Sequence, residues 1–385
     1  EQVLRQVTAT YVYGLTATPI RKDGHQPIIF MQCGKIRFTS DAKSQMENQG
    51  FKRLLIPRFT SFRSITSDRK TYVQITQELS EDKVRNEFVM EDVKAAIQKG
   101  RTPLLLTTRT AHVKVLAQML MPFADHVIQL IGADSAKEKR LALQNLQSIP
   151  TSESLVIVAT GKYVGEGFDY PRLDTLFLTM PIAWKGNVEQ YAGRLHRECE
   201  GKSEVCIYDY VDIRVPLCDS MYRKRLKGYI KAGYGKNVTS PAPDKNSQEL
   251  IYEQNNYEAA FRNDLAKAKH SVVIAVPKVK FKYKPSIMSA LANLLHDGVS
   301  VVVHIKEEGA NETELSNAGM DVVCNKEQTL QCAIIDKSIV WYGNINFFGY
   351  NSETNNVMRI ADYKIANEMM EILYSATENK ANETR

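Results

Sequence analysis

The stretch Leu155-Val156-Ile157-Val158-Ala159-Thr160-Gly161-Lys162-Tyr163-Val164-Gly165-Glu166-Gly167-Phe168-Asp169 decides the fold. Residues 155–159 form an apolar run of strand length, and a continuously apolar strand is one buried on both faces, as in a parallel sheet covered by helices. In the loop that follows, Gly165 and Gly167 stand two apart and let the backbone approach a phosphate or a neighbouring surface. Asp169 can orient a ribose hydroxyl or a partner side chain. Without a third glycine the pattern is not a dinucleotide fingerprint.

The same alternation continues on either side. Strands are expected over 103–107, 126–131, 175–180 and 205–210, and apolar residues at three- and four-residue spacing predict helices over 81–98, 111–121, 135–146 and 187–197. Residues 81–234 therefore read as one open α/β domain. Residues 1–45 hold a strand-like run at 11–15 and are too short to bury a core, so they read as the C-terminal remnant of a preceding domain. The segment 46–80 reads as a strand-containing connector, and the polar, Pro-containing 235–248 as a linker. A second α/β domain is expected over 249–376, with helices at 257–269, 286–297 and 312–318 and strands at 272–276, 299–305, 321–324, 332–335 and 338–342. Residues 377–385 read as a polar tail.

A chain of 385 residues favours two or three folded units with separate cores. At 43% hydrophobic and 24% charged it is composed as a globular protein and not as a disordered one. No apolar run of membrane-spanning length occurs and the start lacks a signal-peptide pattern, so a cytoplasmic protein with no membrane partner is expected. Cys33, Cys199, Cys206, Cys218, Cys324 and Cys332 form no Cys-x-x-Cys pair and have no histidine at zinc-finger spacing, so no metal site is expected. A net charge of +6 permits binding to a phosphate backbone without arguing for it.

Two further segments carry chemistry. Gly14-Leu15-Thr16-Ala17-Thr18-Pro19 is a strand end followed by hydroxyls, with Pro19 pushing Thr18 away from helical geometry. Such a turn exposes hydroxyls at a sheet's carboxyl edge, although an ordinary strand-to-loop turn would look the same. Gln190-Tyr191-Ala192-Gly193-Arg194-Leu195-His196-Arg197 lies on a predicted helix that puts Gln190, Arg194 and Arg197 on one face, with Gly193 letting that face press close to another surface. Guanidinium groups so presented suit the charge that develops on a transferred γ-phosphate, and a solvated basic stripe is the alternative. His196 reads as a packing or hydrogen-bonding residue.

In order and distance these segments resemble superfamily-2 helicases of the DEAD/DEAH-like kind. Residues 14–19 look like motif III, Thr107-Thr108-Arg109 falls where motif IV lies, 160–169 look like motif V and 190–197 like motif VI. The resemblance covers about residues 10 to 215, and motif VI is its most specific part. It implies a RecA-like fold for 81–234 and an ATP-dependent DNA helicase or translocase. In that family's scheme Arg194 and Arg197 reach ATP held by a preceding RecA-like domain, and Gln190 supports them. Gly167 and Asp169 lie at the ATP cleft, Thr160, Thr108 and Arg109 near the nucleic-acid backbone, and Thr16 and Thr18 couple hydrolysis to strand movement. The departure is large: no Gly-x-x-x-x-Gly-Lys-Ser/Thr and no Asp-Glu-x-x box occurs. Both are expected before Glu1, in a missing N-terminal RecA-like domain, so ATP and Mg2+ are expected for the full-length enzyme and no tightly bound cofactor or activity for this fragment.

Near the end, Ile334-Ile335-Asp336-Lys337-Ser338-Ile339-Val340-Trp341-Tyr342-Gly343-Asn344-Ile345-Asn346 resembles the second half of the phospholipase-D-like motif, His-x-Lys-x4-Asp followed by Gly-Ser-x-Asn. Asp336, Gly343 and Asn346 match, whereas Thr329 and Gln331 stand in the histidine and lysine positions. Threonine cannot replace the imidazole nucleophile, so the resemblance implies a catalytically dead phospholipase-D-like domain that can still contact DNA. Its stretch 278–284 alternates lysines, Lys280 and Lys282 among them, with apolar and aromatic residues, and suits either a phosphate backbone or a solvated edge strand. Arg223-Lys224-Arg225-Leu226-Lys227 is a second basic cluster with the same two readings, and Trp341 reads as core. The combination is similar to bacterial helicases of restriction, defence or mobile-element systems. Two alternatives stay open: a non-catalytic DNA-binding scaffold with both domains degenerate, and a phosphodiesterase or nuclease acting through the tail domain.

Overall fold

The computed structural model describes residues 8–14, 30, 31, 33–38, 51–64, 70–132, 135–165, 168–182, 187–234, 250–280, 284–306, 310–326, 328–353 and 355–383. Thr16, Thr18, Gly167 and Lys282, singled out above, lie outside this range, as do the side chain of Gln190 and the whole of the expected linker. The chain divides into two units, 1–50 and 51–385.

In the first unit the strand expected at 11–15 is not formed over 11–14, where Tyr11 and Tyr13 are 76% and 85% exposed. Strand-forming residues without a ladder partner do not make a strand, and none is present among the described residues of this unit. Gly14 lies against Cys33, whose Sγ would stand 3.2 Å from a Cβ at that position.

The second unit begins with β1 (Lys52–Phe59), α1 (Tyr72–Glu81), α2 (Lys83–Gln98), β2 (Pro103–Thr107), α3 (Thr110–Leu120), β3 (His126–Leu130), α4 (Ala136–Ser148), β4 (Leu155–Thr160), α5 (Gly161–Gly165), β5 (Thr175–Leu178), α6 (Asn187–Leu195), β6 (Glu204–Val211) and α7 (Pro216–Lys231). The strands form one sheet in the order β1-β6-β5-β2-β4-β3, parallel throughout. Strand alternation sends Leu105, Val156 and Val158 into a core with Val89 and Val93 of α2 and Val113 and Leu116 of α3. Leu104, Leu106 and Ile157 face the opposite way, toward Tyr191 and Leu195 of α6 and Tyr222 and Leu226 of α7. Burial on both faces is why these strands read as unbroken apolar runs.

Two boundaries differ from expectation. The segment read as a connector supplies β1, which pairs with β6 along its whole length. The helix expected over 81–98 is α2, but a further helix, α1, precedes it within the segment read as a connector; the two meet at Asp82, whose backbone is extended (φ −71°, ψ 111°) and whose carboxylate accepts the Arg85 N–H at 2.7 Å. Such an N-cap is worth about 1 kcal/mol.

The remainder comprises β7 (Ile251–Glu253), α8 (Tyr257–Leu265), β8 (Ser271–Ala275), α9 (Pro285–His296), β9 (Ser300–Ile305), α10 (Ala310–Asn317), β10 (Asp321–Cys324), β11 (Cys332–Ile335), β12 (Ile339–Gly343), β13 (Asn356–Ala361) and α11 (Tyr363–Glu383). Its mixed sheet runs β10-β9-β8-β11-β12-β13-β7, parallel from β10 to β8 and antiparallel beyond. The α/β class expected for both halves is what the structure shows. Helix α11 continues through 377–383, the segment read as a polar tail.

Separate cores were expected for the two halves, and one core joins them. Phe59 and Val211 of the first sheet, Tyr222 and Leu226 of α7, Ile334, Tyr342 and Met358 of the second sheet and Met369 and Leu373 of α11 belong to a single buried cluster. The polar contacts agree: Tyr342 donates to Asp219 of α7, and the Arg58 guanidinium of β1 lies between Asp92 of α2 and Glu368 of α11. A large apolar interface of this kind removes the freedom that tethered domains usually keep.

Candidate functional site

The carboxyl edge of the first sheet carries the loops after β2, β4 and β5, where α/β proteins place their sites. After β2, the Arg109 N–H donates to Thr107 Oγ1 (3.3 Å), whose hydroxyl faces His112 Nδ1 (3.0 Å). His112 Nε2 faces Asn86 Oδ1 (3.0 Å), and Asn86 Nδ2 donates to the Ser80 carbonyl (3.1 Å). Each donor has an acceptor only if the imidazole is neutral with its proton on Nε2. Burial, reinforced by the charges of Arg85 and Arg109, pushes its pKa down to about 3, in agreement. The network fixes the loop that presents Thr108, which is exposed, and Arg109, whose Nη1 donates to the Val73 carbonyl at 3.3 Å.

After β4, Thr160 is buried, and its hydroxyl accepts the Gly132 N–H at 2.9 Å. It therefore anchors the turn after β3 instead of standing open to a strand. The next residue, Gly161, shows why a glycine is needed: Tyr191 OH of α6 donates to the Gly161 carbonyl (2.9 Å), and a Cβ on Gly161 would collide with that hydroxyl. This contact ties the β4 loop to α6. A Cβ on Gly193, by contrast, would meet nothing within 4 Å among the described residues, so the close approach seen within this chain is at Gly161.

At the end of α6 the two segments read separately from the sequence meet. Arg197 Nε donates to Asp169 Oδ1 at 3.2 Å, and the two side chains are 53% and 46% exposed. A pair this open is worth at most about 1 kcal/mol, so it holds the guanidinium without locking it. The contact runs through Nε and leaves both Nη nitrogens for other acceptors. Arg194 is half-buried in the last turn of the helix and forms no ion pair with any described residue. His196 packs face to face on Tyr234 and meets its hydroxyl at 3.0 Å, as a packing residue does; burial pushes its pKa down to about 4.

The structure does not bring the tail-domain residues singled out from the sequence to one place. Asp336 sits in the turn between β11 and β12, where its carboxylate accepts the N–H groups of Lys269, His270 and Ser271 at 2.8–3.0 Å. Burial works against its charge, but these three donors outweigh it and hold the carboxyl below its usual range. Gln331 lies at the opposite end of the hairpin, where the Gly343 N–H meets its carbonyl at 3.4 Å. Five residues of strand put about 16 Å between the two positions. Asn346 is spent on loop structure, donating to the Lys278 carbonyl (2.8 Å) and accepting the Phe348 N–H (2.9 Å), while Thr329 is exposed. Asp336 ties the β11–β12 turn to the segment before β8. Trp341 is fully buried, with Nε1 donating to Asp264 at 2.8 Å.

Of the basic stretches, Lys278 and Lys280 are exposed but lie in a loop and not on an edge strand, and Lys284 is buried against Glu258 at 2.8 Å. The cluster at 223–227 divides by helix face: Arg225 is buried and doubly bonded to Asp209 (2.7 and 2.9 Å), Arg223 pairs with Asp219, and Lys224 and Lys227 are exposed. The buried Arg85–Asp212 pair (2.7 Å), with Thr60 on the same carboxylate, went unread because its partners are 127 residues apart.

No family model matches the chain. Transcript termination protein A18 of Myxoma virus (strain Lausanne) is 27% identical over 155 residues, covering 39% of this chain and 31% of the viral protein. The chain thus spans about a third of the length of the curated relatives it matches. Among solved structures, T4 UvsW is 16% identical with a TM-score of 0.38, covering 47% of this chain and 39% of its own. Nuc from Salmonella typhimurium, a phospholipase D family member, is 20% identical with a TM-score of 0.29, covering 33% of this chain and 91% of its own. Scores this low add nothing to what the strand orders show.

Proposed function

We propose that this chain is the arginine-presenting and strand-holding half of an ATP-dependent nucleic-acid helicase or translocase, with DNA as the expected strand. The observation that carries the reading is the exposed Arg197–Asp169 pair, in which both Nη nitrogens are uncommitted to any described residue. A guanidinium placed so can turn from a weak carboxylate partner to the oxygens of a triphosphate supplied from across a cleft, while Asp169 is released toward a ribose hydroxyl.

The residues present fit one side of an ATP site. They supply cations for the γ-phosphate and a carboxylate for the sugar, but no phosphate-cradling loop, so the nucleotide would be held by a Walker-type lobe elsewhere in the protein or in a partner. Among the described residues no group of three His, Cys, Asp or Glu could hold a metal, so Mg2+ would arrive with the triphosphate. Thr108 and Arg109, exposed and half-buried on the rigid loop after β2, are the residues proposed to touch the nucleic-acid backbone. No helix among the described residues is long and apolar enough to cross a membrane.

The test is nucleic-acid-stimulated ATP turnover by a protein that joins this chain to its nucleotide-binding lobe. Arg197→Ala should lower turnover by about 10³-fold or more, as loss of an arginine finger does, with the unfolding midpoint unchanged. Absence of any stimulated turnover before mutation would favour the non-catalytic scaffold.

A further inference from the structure

A cavity of about 540 Å³ lies between α7 of the first sheet and the ends of β12 and β13 in the second. Its volume is in the range of small-ligand sites, about 300–1,000 Å³. Helix α7 contributes Asp219, Arg223, Lys224 and Lys227, and the second sheet contributes Asn344 and Asn356. Asp219 is already engaged by Arg223 and by the Tyr342 hydroxyl, so its charge is balanced within the wall. Lys224 and Lys227 are three apart on the exposed face of the helix and pair with no described carboxylate, which leaves two uncompensated positive charges at the rim. The floor is different. Asn356 is 2% exposed and its Oδ1 has no hydrogen-bond partner.

We propose that this cavity binds a nucleotide unit of a single-stranded nucleic acid, with the backbone phosphates on Lys224 and Lys227 and the sugar or base toward Asn356. Exposed cations at the rim suit a polymer that passes over the opening. The unpaired acceptor among the lining residues, Asn356 Oδ1, calls for a donor, which a sugar hydroxyl or a base amino group has and a backbone phosphodiester lacks. The cations come from the helicase-like half, across the shared core from the second sheet, whose own motif position holds the uncharged Gln331. The site rests on the proposed nucleic-acid function but uses none of the residues invoked for ATP.

The experiment is fluorescence anisotropy of the whole chain with a labelled single-stranded oligonucleotide over a salt series. Lys224→Glu with Lys227→Glu should weaken binding by about tenfold or more and lower the salt slope by about 1.4, two phosphates at about 0.7 each for single strands. Lys278→Glu with Lys280→Glu, in an exposed basic loop outside the cavity, should do less. Unchanged affinity and slope in the first variant, a larger loss in the second, or no binding by the unmodified chain at low salt would overturn the site. Displacement of the strand by inorganic phosphate at constant ionic strength would assign the cavity to a small anion and overturn it as well. A protein that still needs Arg197 for turnover but shows no loss with the lysine variant keeps the proposed function and loses only this site.

Discussion

Gly161 and Tyr191 carry more of the site's geometry than either arginine. The tyrosine ring is 3% exposed, so its hydroxyl cannot swing aside when a methyl group is added to Gly161. Gly161→Ala should destabilise the protein by about 1–3 kcal/mol, the usual cost of overpacking, despite alanine's better helix propensity. On a Tyr191→Phe background the clashing oxygen is gone, and the same substitution should cost less. Urea unfolding of the four proteins in this cycle measures the coupling. Equal cost on both backgrounds would show that the hydroxyl does not set the distance between the β4 loop and α6. The sequence displayed both residues, yet Gly193 looked like the point of close approach, because helical spacing shows which residues share a face and not what that face meets.

At the scale of elements, legibility followed burial. The strands buried on both faces, β2 and β4 above all, announce themselves as apolar runs, and their order with the helices between them was readable. Elements whose inner faces carry charge were harder to read. Strand β13 contains Asn356 and Arg359, both buried, and is tolerated in the core because Arg359 makes two bonds to Asp264 (2.6 and 2.9 Å). Helix α7 hides its amphipathicity in the same way, since Arg225 faces inward onto Asp209 and the cluster at 223–227 reads as uniformly basic. Strand β1 contains Pro57, which belongs only on an edge strand, and β1 is at an edge of its sheet. The Arg197–Asp169 contact joins positions 28 residues apart, so the sequence offered its two ends and not their meeting.

At the scale of the whole molecule, α7 and α11 fuse two sheets that the sequence presents as separate domains. One half-buried guanidinium, Arg58, serves both Asp92 and Glu368 in that seam, and Phe59 N–H adds a bond to Glu368 at 3.2 Å. A single cation cannot fully balance two carboxylates. Burial, opposed by Arg58, pushes Glu368 up from its ordinary 4.5 to about 7. A carboxyl that holds its proton more tightly when folded contributes stability that is complete below the unfolded pKa and is lost as pH rises through the folded one. Glu368 should therefore cost the protein stability between about pH 4.5 and 7. Glu368→Gln should remove that component: the difference in urea midpoint between the variant and the parent should shift in the variant's favour across this window and level off above it. A difference independent of pH would mean that Arg58 keeps the carboxylate ionised throughout.

The measurement closest to the central claim is the affinity of the lobe-complete protein for ADP with aluminium fluoride, a mimic of the phosphoryl group in flight, compared with its affinity for ADP alone. If Arg197 reaches the triphosphate, Arg197→Ala weakens the mimic by about 10³-fold while ADP binding hardly changes, because the guanidinium acts on charge present only in the transition state. Equal affinity for the mimic with and without the arginine would contradict the account.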